Sequence, residues 1–355
     1  MSHRTRTFWD VLDVAILFVA AIVMLWRPSI AFLEGPYGNE FYPATQRAVT
    51  TLTNAVSFAV GDLLVVLVFA GAVAIWYSQL RRSRSWHAWI RALLRTCALV
   101  AFLYLWFIVA WGWNYERPSL SVALRYTAMK PQQNRLDALE AGLAVALDRA
   151  AIAAHDQHDR NVDETLSLES ARMRTLQAIG GDTQAVATRP KRWLFDGYFD
   201  AAGITGMFFP FTYETYVASD VLWFEYPFTL EHEWGHVAGI ARESDANFVA
   251  SIATLDSDDP IVHYSGLLEI YAALPRGRSD RLLSKLVLSD YAAMRRRNKR
   301  RIVPAISHLA WNTYDSYLKS QHVRTGVVSY AEYVRLLFGT AVGREALSHA
   351  AGRQL

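Results

Sequence analysis

The sequence predicts a mainly α-helical membrane protein, with three amino-terminal transmembrane helices and an extracytoplasmic, mostly helical domain that carries a small strand element. Three observations predict it. Of the 355 residues, 52% are hydrophobic, and the excess lies in the first third of the chain, where apolar runs approach the roughly 20 residues a helix needs to cross a bilayer. Beyond residue 131 apolar residues recur at helical spacing. Residues 203–228 are instead aromatic and β-branched with glycine and proline breaks, the pattern of strands and turns. A formal net charge of +3 is too small to argue for a nucleic-acid partner. A single cysteine, Cys97, excludes an intramolecular disulfide.

The first span is expected over about residues 9–27, where Asp10 and Asp13 border the run "VAILFVAAIVMLW". That run is short enough for a signal peptide, but no small-residue cleavage site follows it. The second span, about 55–77, is apolar apart from Asp62, which is either a functional intramembrane carboxyl or a helix-end residue facing the bundle. The third, about 96–113, ends in Trp106, Trp111, Trp113 and Tyr115, expected as interfacial aromatics. The connection "RRSRSWHAWIRALLR" carries Arg81, Arg82, Arg84, Arg91 and Arg95, against only Arg27 and Arg47 between the first two spans. Short arginine-rich loops stay in the cytoplasm, so the amino terminus is expected there too and the chain after the third span outside. This divides the protein into a transmembrane region, 1–115, and an extracytoplasmic domain, 116–355.

Past the membrane, "QNRLDALEAGLAVALDRAAIAAHDQ" and "DETLSLESARMRTLQAIGG" have helical spacing, the second with Asp163 as N-cap. The stretch "GITGMFFPFTYETYVASDVLWFEYPF" follows as the strand-like part, and the last hundred residues return to helix. The basic run Arg295–Arg301 is a solvated helix end or a contact for anionic head groups. His155 and His158 have ligand types at a permissive spacing but no companion cluster, and His3, His87, His308, His322 and His349 are isolated.

The chemistry concentrates in "TLEHEWGHVAGIARESDANF". His232 and His236, four apart on a helix, share one face, so both imidazoles can reach one zinc ion at ~2.0–2.1 Å. Glu233 can then take a proton from water at the open coordination position. As two ordinary core histidines and a glutamate, the same residues would each need polar partners in an apolar neighbourhood. Glu243, on a continuous helix, would sit about 10.5 Å beyond His236 along the axis, too far to share an ion. A break at Gly239 would let "ESDANFVASIATL" fold back and bring Glu243 in as third ligand, with Asn247 one turn on to hold a ligand from behind. Asp245 is the alternative third ligand. "MFFPFTYETYV" is expected as an edge strand that receives extended substrate, compatible with Pro210, or else as a core strand. In "HYSGLLEIYAAL", His263 or Tyr264 is placed to donate to an oxyanion, or else packs as ordinary helix.

These features together resemble the bacterial membrane proteins grouped as domain of unknown function 3810, related by motif to gluzincin-type zinc metallopeptidases. The resemblance runs through "WGWNYERP", "GITGMFFPFTYET", "HEWGHVAGIARESDANF", "VHYSGLLEIYAAL" and "YDSYLKSQHVRTGVVSYAEYVRLL". It implies a zincin-like hydrolase in the bacterial inner membrane, with zinc on His232 and His236, Glu233 as general base and Glu243 as third ligand. Gluzincins usually place the ligand glutamate farther downstream. The expected partners are the lipid bilayer and a peptide or protein substrate. The rival expectations are a non-catalytic membrane protein with a structural or sensory zinc, and an amidase acting on cell-wall peptides.

Overall fold

The computed structural model describes residues 3–82, 85–128, 133–160, 165–274, 280–320 and 332–352. Asp163, Arg84, His322 and the segment 321–331 of the last quoted motif lie outside them. The chain begins with α1 (His3–Leu25), then α2 (Ile30–Phe32), a π-helical stretch over Leu33–Phe41 and α3 (Tyr42–Asn54). α4 (Val60–Arg82) and α5 (Trp86–Ala110) follow. Stretches of α1, α4 and α5 are long and apolar enough to cross a membrane, at Phe8–Leu25, Val60–Arg81 and Trp86–Ala110.

Two expectations about this region are corrected, the loop over the arginine-rich connection and the interfacial positions of Trp111, Trp113 and Tyr115. The arginine-rich connection is mostly helix: α5 begins at Trp86, so Arg91 and Arg95 lie within it. Arg95 stands 3.5 Å from Asp10 and 3.6 Å from Asp13 of α1, and these pairings tie the two helices where a free loop was expected. The link between the first two spans is also ordered, and its side chains enter the core: Leu33, Tyr37 and Tyr42 are buried with Trp111, Trp234 and Val237. The expected interfacial aromatics Trp111 and Tyr115 belong to that same core, and Trp113 packs edge-on against Trp26, Phe32 and Tyr37. Asp62 sits in the first turn of α4, where Oδ2 accepts the Leu194 N–H at 3.0 Å.

Beyond a 3₁₀ turn at Gly112–Glu116 come α6 (Leu120–Ala123), α7 (Gln133–Asp159), α8 (Thr165–Ile179) and α9 (Asp196–Ala202). A two-stranded antiparallel hairpin, β1 (Gly206–Phe209) and β2 (Glu214–Val217), follows. The rest is helical: α10 (Tyr226–Val237), α11 (Glu243–Leu255), α12 (Pro260–Ala272), α13 (Lys285–Arg301), α14 (Pro304–Ser320), α15 (Tyr333–Gly339) and α16 (Ala341–Ala351). The largest core joins α7, α11, α12 and α15 through residues such as Leu143, Leu147, Phe248, Leu267, Tyr271 and Leu337. It fixes α11, one of the two helices that form the site.

The hairpin is tied to the membrane helices by a buried ion pair. Lys191 and Glu214 meet at 2.6 Å, with side chains only 3% and 1% exposed. Charges so buried need every polar atom engaged. Glu214 also accepts from the Val60 and Gly61 N–H groups at the start of α4, and from the Thr212 and Tyr216 hydroxyls. Lys191 donates to the carbonyls of Thr53 and Phe58. Burial alone would raise the Glu214 carboxyl, but hydrogen bonds from Lys191, Thr212, Val60 and Gly61 hold it below the ordinary range. At its tip the hairpin meets α5, where Trp106 Nε1 donates to the Phe211 carbonyl at 3.1 Å.

Candidate metal centre

α10 carries His232, Glu233 and His236, and it ends where the sequence changes from large residues to "VAGI". Gly239 adopts φ +91°, a conformation open to glycine and strained for residues with a Cβ. The Ile240 N–H reaches back to the Gly235 carbonyl at 3.1 Å and the Gly239 N–H to His236 at 2.8 Å, a Schellman closure. Tyr42 of α3 donates to the Val237 carbonyl at 2.9 Å and caps the same end. The chain then reverses into α11, and a Cβ on Gly235 would lie 3.6 Å from the Ala246 Cα. The two helices therefore pack in direct contact at Gly235 and Ala246.

This reversal puts Glu243, the first residue of α11, against both histidines. The ligand atoms of His232, His236 and Glu243 all lie within 4.8 Å of one another, and the three residues are buried. Glu243 Oε2 is 3.1 Å from His232 Nε2 and 3.4 Å from His236 Nε2. Each imidazole is oriented from behind. His232 Nδ1 meets Asn247 Oδ1 at 2.7 Å, and His236 Nδ1 meets the Ile240 carbonyl at 2.7 Å. A carbonyl oxygen only accepts, so Nδ1 carries the hydrogen and Nε2 presents its lone pair to the centre. The other Glu243 oxygen accepts from the Tyr314 hydroxyl of α14.

The donor set fits a divalent cation on a structural test. Glu243 Oε2 is buried and accepts no hydrogen bond, although it faces two imidazole nitrogens. A buried carboxylate oxygen in that position calls for a positive charge. The electrostatics agree: burial raises the Glu243 carboxyl, yet His236 and His232 outweigh it and hold it well below the ordinary range. Burial would lower His236, but the negative charges of Glu243 and Glu233 raise it to about 9. These atoms compete for one positive charge, a proton or a metal ion. Two histidines and a glutamate, with a fourth position free, form a donor set known from catalytic zinc sites.

Glu233 is 5% exposed and lies beside the triad. Burial is the main influence on it and, with Glu243, raises its carboxyl, while the two imidazoles and the Phe208 backbone pull it down; the net shift is upward. β1 passes so close that a Cβ on Gly206 would lie 2.7 Å from Glu233 Oε1. The Thr205 carbonyl accepts from Ala218 N–H. Hydrogen bonding alternates along an antiparallel strand, so Thr205, Met207 and Phe209 turn their backbone groups to β2, and Gly206 and Phe208 turn theirs outward. The outward edge borders a cavity of about 1300 Å³ whose lining includes His232, Glu233, His236, Glu243 and Tyr314.

The structure therefore assembles His232, Glu233, His236, Glu243 and Asn247 and separates the remaining candidates from them. Asp245 points away, its Oδ2 accepting the Leu120 N–H at 2.9 Å. Tyr264 is fully buried and donates to Asp290 at 2.6 Å, and His263 Nδ1 meets the Leu255 carbonyl at 3.1 Å. Neither lines the cavity. Pro210 falls in the hairpin turn next to β1. Arg297, from the basic run, pairs with Glu225 at 2.6 Å, and Glu225 and Glu269 also line the cavity. Tyr314 was given no role from the sequence. It opens the "YDSYLK" stretch, and nothing local marks a tyrosine 71 residues beyond its carboxylate partner.

A family model described as "Protein of unknown function (DUF3810)" matches residues 37–338. None of the curated proteins and none of the solved structures compared with the chain matches it.

Proposed function

From the premise that the chain belongs to this family of unknown function, we propose that it is a membrane-anchored, zinc-dependent peptidase. The observation that carries the reading is the convergence of His232, His236 and Glu243 on one point beside a buried glutamate and the outward edge of β1. The three residues would hold the metal, and a zinc ion bound there supplies Lewis acidity toward a carbonyl and toward water. The side chains of this protein do the rest. Asn247 and the Ile240 carbonyl fix the imidazole tautomers. Tyr314 holds Glu243 by one oxygen and leaves the other free for the centre.

The outward N–H and C=O of Gly206 and the C=O of Phe208 align an extended peptide along β1, as a strand added to a sheet edge, while the Phe208 N–H is engaged by Glu233. Glu233, its carboxyl raised by burial, accepts a proton from the attacking water as the new C–O bond forms. It returns that proton to the leaving nitrogen as the C–N bond breaks, giving a carboxylic acid and an amine. Three protein ligands support this reading over a closed structural site, which takes four. In the same proposal the arginine-bearing ends of α4 and α5 face the cytoplasm of a bacterial cell, and the site stands outside the inner membrane.

The test is elemental analysis of detergent-purified protein together with hydrolysis of a peptide library. One zinc per chain, lost in His236→Ala and retained without hydrolysis in Glu233→Gln, is the expected result. Wild type that binds no metal after incubation with zinc, or full hydrolysis by Glu233→Gln, overturns it.

A further inference from the structure

The cavity at the site does not end at the soluble surface. It continues along α5, where Trp111, Phe107, Tyr104, Leu103 and Val100 line it. Those positions recur at intervals of three and four, so they form one face of the helix. From Trp111 to Val100 that face runs about 16 Å at 1.5 Å per residue. The hydrocarbon half of a bilayer is about 15 Å deep. α5 is among the helices apolar and long enough to span, so the cavity follows a candidate membrane helix over a length comparable with half a bilayer's hydrocarbon.

The rim on the other side is also suited to lipid. Tyr198 of α9 and Leu309 of α14 line the cavity and remain 44% and 70% exposed. The turn after β1 rests on α5, with the Phe107 and Phe211 rings 6.1 Å apart. Asp62, in the first turn of α4, binds the backbone just ahead of α9. β1 accordingly begins beside Glu233 and ends against a membrane helix.

We propose, resting on the peptidase reading, that the substrate is a membrane-inserted polypeptide whose apolar segment lies along α5 and whose first extended residues outside the bilayer pair with β1. The face of α5 presents Val100, Leu103, Tyr104 and Phe107 to the cavity, which suits an apolar segment and would poorly accommodate a charged one. The outward N–H and C=O of Gly206 and the C=O of Phe208 favour a polypeptide over an acyl chain, which has nothing to offer them. β1 is four residues long, about 13 Å at strand rise. The bond cleaved therefore lies within about four residues of the apolar segment.

The experiment uses the full-length protein in liposomes with zinc, in the Glu233→Gln form, so that binding is read without turnover. A photoreactive benzoylphenylalanine replaces Leu103, or Leu67 on the exposed side of α4 as a control. The probe is a biotinylated synthetic peptide with one Leu/Ala span of about 20 residues and a polar tail. A second probe carries the same tail on a palmitoyl chain. Crosslinking of the span peptide at Leu103 and little at Leu67 is the expected result. Equal crosslinking at the two positions, none at Leu103, or a palmitoyl probe captured as well as the span peptide overturns the proposal. In active wild type, Leu103→Trp should lower the rate on the span peptide relative to the free tail by roughly tenfold. An unchanged ratio counts against it. Crosslinking at Leu103 is independent of hydrolysis, so failure of the peptidase reading shows separately, as zinc-loaded wild type that cuts neither peptide.

Discussion

Two histidine clusters in this protein begin from similar sequence and end differently. His232 and His236 lie one turn apart on α10, and His155 and His158 lie nearly one turn apart on α7. Each cluster meets a buried carboxylate on another helix. In the first, Glu243 Oε2 accepts no hydrogen bond and faces two lone pairs. In the second, Asp290 Oδ2 is already used by His155 at 2.8 Å and by the Tyr264 hydroxyl at 2.6 Å. His158 is stacked on Trp223, with ring centroids 4.2 Å apart, and does not turn to the same point. Among the described residues, only the first cluster gathers three ligand atoms that could hold a metal ion. Spacing makes a metal site available; the orientation of Nδ1 and the unmet demand of the carboxylate decide whether one forms.

Mutations that exchange these properties test the comparison. The largest effect is expected for His232→Ala or His236→Ala, which should remove both bound zinc and hydrolysis, whereas His155→Ala should keep both. Zinc content measured beside peptide hydrolysis decides it. Glu233→Gln should keep the metal and lower turnover by roughly 10²–10⁴, the range for a missing general base. Asn247→Ala frees His232 Nδ1 and should weaken zinc by about 10–100-fold without abolishing it, measured by chelator competition. Removing the second carboxylate, Asp290→Ala, leaves the buried Tyr264 hydroxyl without its acceptor at a cost of about 1–3 kcal/mol. Its melting temperature should fall while zinc stoichiometry stays at the wild-type value. Chelation should lower the melting temperature of wild type and leave that of His236→Ala unmoved, since a ligand stabilises only the fold that binds it.

Much of this was legible in the sequence because it depends on local periodicity. The apolar runs mark α1, α4 and α5, and the HEWGH spacing with Gly239 behind it anticipates a reversal that brings Glu243 back. Features that depend on distant partners were not legible. The ordered helices before the second span take their burial from residues 111–237, so "LEGPYGNEF" has no local sign of being core. Arg95 read as a loop charge because its partners Asp10 and Asp13 are some eighty residues away. His263 and Tyr264 have suitable chemistry, but the packing of α12 against α7 turns Tyr264 to Asp290. Lys191 and Glu214 are ordinary surface types whose complete burial follows only from the fold.

The hydroxyl of Tyr42 on the Val237 carbonyl has a practical consequence for anyone wishing to handle the protein without detergent. Tyr42 lies between the first two spans, and with Tyr37 and Trp111 it supplies part of the interior around α10. A soluble fragment starting after the third span would lack those rings and the cap on the helix that carries both histidines. Proteolytic shedding at that point would release a chain with an open core and a frayed α10, so detachment from the membrane would also scatter His232, His236 and Glu243.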